Sequence, residues 1–289
     1  MMKRPTATLA IATTVFAQEG RDAPIEEERQ VSLGLGIPKS LNFHGHAGVA
    51  AGLSPDYEGS DSFSAAALPL VDIRQPDFLF LKGASVNPND GLASIGWNAL
   101  NFGYSQGAGR KLHISVGPLA RYHNGRDEDD NNALSGLGDI DDNIGFGGFI
   151  EANAGPWSAG LTAVPQDAGG SEDGLLVAVD TKYTAQLSKQ LALTTGVSTS
   201  WGDDDYMQGF YGISSNQALR SGLARFNADA GFKDIGAQVR TTYALSSNWM
   251  VDGQLGYQRL LNDAAESPIV DTRGSRNQFR ALLGVAYQF

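Results

Sequence analysis

The sequence predicts an all-β protein: a transmembrane antiparallel up-and-down β-barrel of about twelve strands, with long extracellular loops and short periplasmic turns. Three observations carry this. The last stretch, Asn277 to Phe289, puts Phe279, Ala281, Leu283, Val285, Tyr287 and Phe289 on one face and Gln278, Arg280, Leu282, Gly284, Ala286 and Gln288 on the other. About a dozen segments share that period of two. The connections between them alternate between long and short. Composition agrees: 289 residues hold 36 glycines and are only 18% charged, and no segment approaches the roughly 18 to 20 unbroken apolar residues of a membrane helix. Such a chain crosses a bilayer only as a closed barrel, because closure satisfies every backbone group in lipid.

The chain opens Met1-Met2-Lys3-Arg4, continues with an apolar run from Ala7 to Phe16, and offers Val15-Phe16-Ala17 before Gln18. This predicts an export signal over residues 1–17. Residues 18–40, with Glu26-Glu27-Glu28, read as an acidic periplasmic segment, and residues 41–289 as the barrel.

Leu41, Phe43, Ala47, Val49 and Leu53 alternate with Asn42, His44 and His46 in a first strand, which ends at the turn-rich Ser54 to Asp61. A second strand, about Phe63 to Arg74, sends Ala67, Pro69, Val71 and Ile73 outward and Asp72 and Arg74 inward. After the tight turn Gln75-Pro76-Asp77, a third runs from Phe78 to about Ser85 and leads to the loop Asn87 to Gly91. In the fourth, about Ala93 to Tyr104, Ile95 and Trp97 keep one parity and Leu100, Phe102 and Tyr104 the other, which predicts a bulge or break.

Beyond the turn Gly107 to Arg110, Leu112, Ile114, Val116, Ala120 and Tyr122 oppose His113, Ser115, Arg121 and His123. A long polar loop, Gly125 to Asn143, precedes a sixth strand of Ile144, Phe146, Ile150 and Ala152 against Glu151 and Asn153. Gly155-Pro156 turns into a seventh, with Trp157, Ala159, Leu161 and Ala163 outward. After the loop Asp167 to Asp173, the eighth sets Leu175, Val177, Val179, Thr181, Tyr183 and Leu187 against Asp180, Lys182, Thr184 and Gln186. Ser188 to Gln190 is a short turn into the ninth, where Leu191, Leu193, Val197 and Trp201 oppose Thr194, Ser198 and Ser200.

The segment from Gly202 to Lys233 is too long for a turn, and Ser214-Ser215-Asn216-Gln217 followed by Ala218-Leu219 has the form of a capped short helix. Strands ten and eleven set Ile235, Val239, Tyr243 and Leu245, then Trp249, Val251, Leu255 and Tyr257, against Gln238, Arg240 and Thr242, then Asp252, Gln254 and Gln258. Only Ser246 to Asn248 separates them. A loop from Asn262 to about Arg276 leads to the terminal strand. With both ends periplasmic, the long connections at Ser54, Asn87, Gly125, Asp167, Gly202 and Asn262 all fall outside the cell.

The inward faces collect His44, His46, Asp72, Arg74, Arg121, Glu151, Asp180, Lys182, Arg240, Asp252 and Arg280. These mixed signs either pair across the lumen or line a small selective pore. The long loops are acidic: Asp127, Asp129 and Asp130, then Asp139 and Asp141, then Asp203, Asp204 and Asp205. Oxygen-rich clusters suit Ca²⁺ or Mg²⁺, although the spacing is not that of an EF-hand and solvated loop tips are the commoner use. His44 and His46 begin a metal-ligand spacing that finds no third ligand. With no cysteine in the chain, thiolate sites and lipoprotein anchors are excluded. A formal net charge of −11 opposes nucleic-acid binding. No catalytic set and no cofactor site stand out.

Gly284, Tyr287 and Phe289 resemble the signal read by the outer-membrane barrel-assembly machinery. Further segments extend the likeness: Tyr57-Glu58-Gly59-Ser60-Asp61, Pro69 to Arg74, Gly125 to Asn131, Leu137 to Asp141, Asp203 to Met207, Ser267 to Val270 and Gly274 to Phe279. Together they are similar to the MipA/OmpV family of outer-membrane proteins, named for the MltA-interacting protein. That resemblance implies a non-enzymatic barrel in the cell outer membrane, touching lipid and lipopolysaccharide, and a scaffold joining a murein hydrolase to a murein synthase. A narrow substrate-selective pore or solute-binding barrel is the alternative expectation, and adhesion through the acidic loops a further one.

Overall fold

The computed structural model describes residues 29–38, 42–75, 77–106, 110–169 and 173–289. The expected export signal lies outside the described residues. Alternating side chains fold as their period demands, into antiparallel strands: β1 (Arg29–Leu35), β2 (His44–Pro55), β3 (Phe63–Gln75), β4 (Leu79–Lys82), β5 (Ala93–Trp97), β6 (Leu100–Gln106), β7 (Arg110–His123), β8 (Asn143–Ala154), β9 (Trp157–Gln166), β10 (Gly174–Gln186), β11 (Leu191–Gly202), β12 (Gly231–Ala244), β13 (Trp249–Leu260) and β14 (Asn277–Gln288).

Twelve of these close the barrel. Each neighbour in sequence pairs with the next from β7 round to β14, β14 pairs with β2, and β2 to β5 return to β7. The predicted break in the fourth strand is the gap between β5 and β6, both of which pair with β7. Two residues, Asn98 and Ala99, leave the ladder and reset the parity, so Trp97 and Leu100 both face outward. Gly117 of β7 sits opposite that break, where a Cβ would collide with the Trp97 carbonyl. The sheet also begins earlier than residue 41: β1 pairs with β6 from Arg29↔Gln106 to Leu35↔Leu100, so part of the expected acidic segment is strand.

The outer wall is apolar. Val49, Phe146, Leu255 and Leu283 are among its most exposed side chains, which in water would be an aggregation surface and in hydrocarbon is the stable arrangement. Aromatic pairs mark both rims: Trp249–Tyr287 (5.4 Å) and Trp157–Tyr183 (4.8 Å) near the short turns, and Tyr257–Phe279 (5.1 Å) near the loops. Among the described residues no helix is long and apolar enough to cross a membrane.

One expected extracellular loop is corrected. The third strand ends at Lys82, not near Ser85, and residues 83–92 turn into the barrel. Val86 packs with Ala50, Leu70, Met250, Leu282 and Ala286, and burying that side chain is worth about 1.5–3 kcal/mol relative to exposure. Asn87 caps the 3₁₀ turn Pro88–Asp90 by accepting from the Asn89 amide. Because this segment leaves the wall, the upper part of β3, Phe63 to Leu68, pairs with β2 alone among the described residues. Pro69, which has no N–H to offer, stands at the edge of that gap.

The long connections form a cap over the other end. α1 (Asp204–Tyr211) and α2 (Ser215–Ser221) belong to the Gly202–Lys233 insert, and α2 starts with the expected capping box of Ser214 and Gln217. α3 (Asn262–Glu266) and α4 (Pro268–Asp271) follow β13. Tyr57, Leu134, Leu137, Ile213, Leu223 and Ile269 make one apolar cluster, and Tyr206, Met207, Tyr211, Leu260, Ala264 and Val270 belong to a second. The insert therefore lies on the barrel mouth as a packed lid.

Candidate functional site: a blind, charge-lined lumen

The inner wall is polar because the residues between the lipid-facing ones point inward. At the short-turn end this creates a cavity of about 300 Å³ whose lining includes His46, Asp72, Arg74, Arg121, Glu151, Asp180, Lys182 and Arg240. Lys82, Asp90, Phe80 and Phe149 complete it, with the two rings edge to face at 5.0 Å. Charges pair along its wall: Arg74 Nε with Asp72 Oδ1 at 2.7 Å, Arg74 and Lys82 with Glu151 at 3.4 and 3.3 Å, Lys182 with Asp180 at 3.3 Å, and Arg240 with Asp252 at 2.6 Å. Exposure is graded. The Arg74 side chain is 45% exposed near the turn, whereas Arg121, further in, is 4% exposed.

Deeper still lies a buried polar cluster. Lys233 Nζ donates to both Glu58 oxygens (2.9 and 3.0 Å) and to Tyr206 Oη (3.3 Å), and lies 3.5 Å from Asp234 Oδ2. Gln258 Nε2 donates to Glu58 Oε1 (2.9 Å) and Asp234 Oδ2 (2.8 Å), and Ser200 Oγ donates to Asp234 Oδ2 (2.5 Å). Arg280 Nη1 adds a bond to Gln258 Oε1 at 3.0 Å. The inward-turned segment joins in through Asn89 Nδ2, which reaches Asp234 Oδ1 at 3.4 Å. Burial alone would raise the Glu58 carboxyl, but the Lys233 charge and hydrogen bond outweigh it and hold the group below the usual carboxylate range.

Lys233, Glu58, Asp234 and Gln258 were not among the candidate site residues, although alternation already turned Gln258 inward. The signal was there in part: two adjacent opposite charges, Lys233-Asp234, open a strand. What the pattern hides is a register shift opposite Ser200 and Trp201, a bulge that puts both side chains inside.

The other candidates stand apart from this cavity. His44 lies exposed at the start of β2. His113 Nε2 is 3.4 Å from Asp77 Oδ1, and His123 is buried on the inner wall. In the loops, Asp127 accepts from the Asp129 amide, Asp139 from Glu128, Asp203 from Tyr206 and Asp204 from Ala230. Among the described residues no group of three or more His, Asp or Glu side chains converges as a metal site. Gly284 faces the lumen wall beside Ala50, while Tyr287 and Phe289 face outward.

The family model for the MltA-interacting protein MipA matches residues 47–289. The chain belongs to the MipA family. Its relatives include the MltA-interacting protein of Escherichia coli (strain K12), 28% identical over 101 residues, which are 34% of this chain and 38% of that protein. The match thus spans well under half of that relative. The putative outer membrane protein YiaT of Escherichia coli O157:H7 is 22% identical over 243 residues, 84% of this chain and 89% of its own. Among solved structures, a NanC porin superposes with a TM-score of 0.40 at 8% identity, covering 84% of this chain and 100% of that one. OmpT of Vibrio cholerae gives 0.35 at 10%, covering 90% and 98%. At these scores the structural likeness carries no weight of its own. This MipA-family chain is a β-barrel of the outer membrane.

Proposed function

We propose that the protein is a non-enzymatic outer-membrane scaffold that contacts peptidoglycan-remodelling enzymes, a murein hydrolase and a murein synthase, from its periplasmic end. The supporting observation is a filled interior: the buried Glu58–Lys233–Asp234 cluster and the inward-turned residues 83–92 lie inside the barrel and bond to each other. A barrel so filled is better suited to holding partners than to transport. The name of the Escherichia coli relative, an MltA-interacting protein, points the same way. At the periplasmic end β1 is the last strand of the sheet, its outer edge unpaired among the described residues, with Leu33, Leu35 and Ile37 exposed. Such an edge accepts a partner strand.

The test is recovery of murein enzymes from detergent extracts on the tagged full chain. Deleting residues 29–35, which lie outside the twelve strands that close the barrel, is expected to lower recovery at least several-fold while the barrel keeps its heat-modifiable gel mobility. No enrichment on the unaltered chain would remove the proposal. The alternative of a narrow pore is separated by single-channel recording, in which the scaffold reading expects no conductance.

A further inference from the structure

We propose that the periplasm-facing cavity is a binding site for a small zwitterion, an amino acid or dipeptide carrying both an ammonium and a carboxylate. This goes beyond the scaffold role and does not depend on it. The cavity measures about 300 Å³, at the small end of ligand pockets, which suits one or two residues and excludes an oligosaccharide.

Its wall is made of opposed charges in pairs, not of one sign. Lys82 bonds Glu151 and Lys182 bonds Asp180, each at 3.3 Å. The two ammonium groups, on side chains 35% and 29% exposed, keep donors for a ligand carboxylate; Asp180 keeps lone pairs for a ligand ammonium, while Glu151, which also accepts from Arg74 and Asn153, keeps fewer. An ion of one sign would take one partner of a pair and strand the other, which is costly in a half-buried site. A zwitterion satisfies both.

A second observation sits deeper in the same cavity. Arg121 is 4% exposed and lines it. Its Nη1 donates to the Asn89 carbonyl (2.6 Å) and to Thr162 Oγ1 (3.3 Å), yet its Nε has no partner among the described residues. A buried guanidinium N–H left unmade costs free energy, and a carboxylate oxygen is its best acceptor. Phe80, Phe149 and Leu119 beside it give an apolar patch for a short side chain.

The experiment is titration calorimetry of the full chain in detergent with alanyl-alanine, N-acetyl-alanyl-alanine and alanyl-alanine amide. Saturable binding of the free dipeptide is expected, with each singly charged analogue at least tenfold weaker, and at least tenfold loss in Lys82→Met with Lys182→Met. Because that variant removes ion pairs, a second measurement uses Ser85→Cys in this cysteine-free chain: saturating alanyl-alanine should slow its modification by a charged thiol reagent several-fold. Equal binding of all three peptides overturns the zwitterion assignment. Absence of both heat and protection with alanyl-alanine overturns the site, whatever the outcome of the murein-enzyme pull-down.

Discussion

Lys233 Nζ lies 2.9 Å from Glu58 Oε1, joining the first strand of the lid-side barrel wall after the long insert to a turn 175 residues earlier. Its side chain is 2% exposed. A buried ammonium is tolerated only when paired and fully hydrogen-bonded, and here Glu58, Asp234 and Tyr206 share that task.

Removing the cation should therefore cost more than removing the pair. Lys233→Met takes from Glu58 and Asp234 the ammonium they bond and leaves the less direct charge of Arg280, and a loss of about 3–5 kcal/mol is expected for breaking such a buried pair. Adding Glu58→Gln should restore part of it. Urea unfolding in detergent, followed by tryptophan fluorescence, checks the order of the native chain and these two variants. Equal stability of single and double variants would contradict it.

Acid should act through the same carboxyl. The folded-state pKa of Glu58 is depressed, so its contribution is fully present above the unfolded value of about 4.3 and is lost as pH falls through the folded value. The stability gap between the native chain and Glu58→Gln is thus expected to close below about pH 4. A gap independent of pH would argue that Glu58 contributes by packing alone.

Alkali should act on Tyr57. Burial first, then the Asp61 charge, push its phenol up to about 12. The unfolded phenol ionises near 10, so the folded state loses stability between about pH 10 and 12, and Tyr57→Phe is expected to remove that part of the decline. Thermal midpoints measured across this window decide it.

Two obstructions lie in series, so opening one should not suffice. Replacing residues 84–91 by a short Gly-Ser turn, or residues 204–229 by a linker, is each expected to leave planar bilayers silent. Both together, with Glu58→Ala and Lys233→Ala to open the buried cluster that neither deletion removes, should give discrete conductance steps. Conductance in either single deletion would show that the remaining element does not fill the lumen.

The terminal strand gives a test that concerns assembly. Deleting Phe289 is expected to lower the amount of folded barrel in outer membranes several-fold while leaving refolding into detergent nearly unchanged. The reason is that Tyr287 and Phe289 face outward and add little internal packing. Equal loss in both settings would assign Phe289 a structural role.

How much of this was legible in the chain follows from what period-two alternation encodes. It reports which face meets lipid, so the wall was readable: Phe279, Leu283 and Val285 are outside, and Gln278, Leu282 and Ala286 inside. The break near Asn98 was readable too, since two parities met there. What alternation does not encode is a strand that stops early. Ala84-Ser85-Val86 continues the β3–β4 hairpin on paper, yet Val86 packs in the inner cluster with Leu70, Met250 and Leu282. Nor does it encode the bulge that turns Lys233 and Asp234 the same way. The lumen charges could be named, but their partners depend on which strands become neighbours: Glu151 meets Arg74 and Lys82 across a closure that pairs residues far apart in the chain.

The early end of β4 has a cost on the lipid side. Opposite it, the backbone amides and carbonyls of Ala65 and Ala67 point at a place where no neighbouring strand stands among the described residues. Hydrocarbon offers such groups nothing to bond. Water and head-groups are therefore expected to reach down beside β3, with a locally thinner bilayer there. The barrel thus carries a soft flank on one side and a rigid, fully laddered one on the other, and the bilayer around it cannot be uniform.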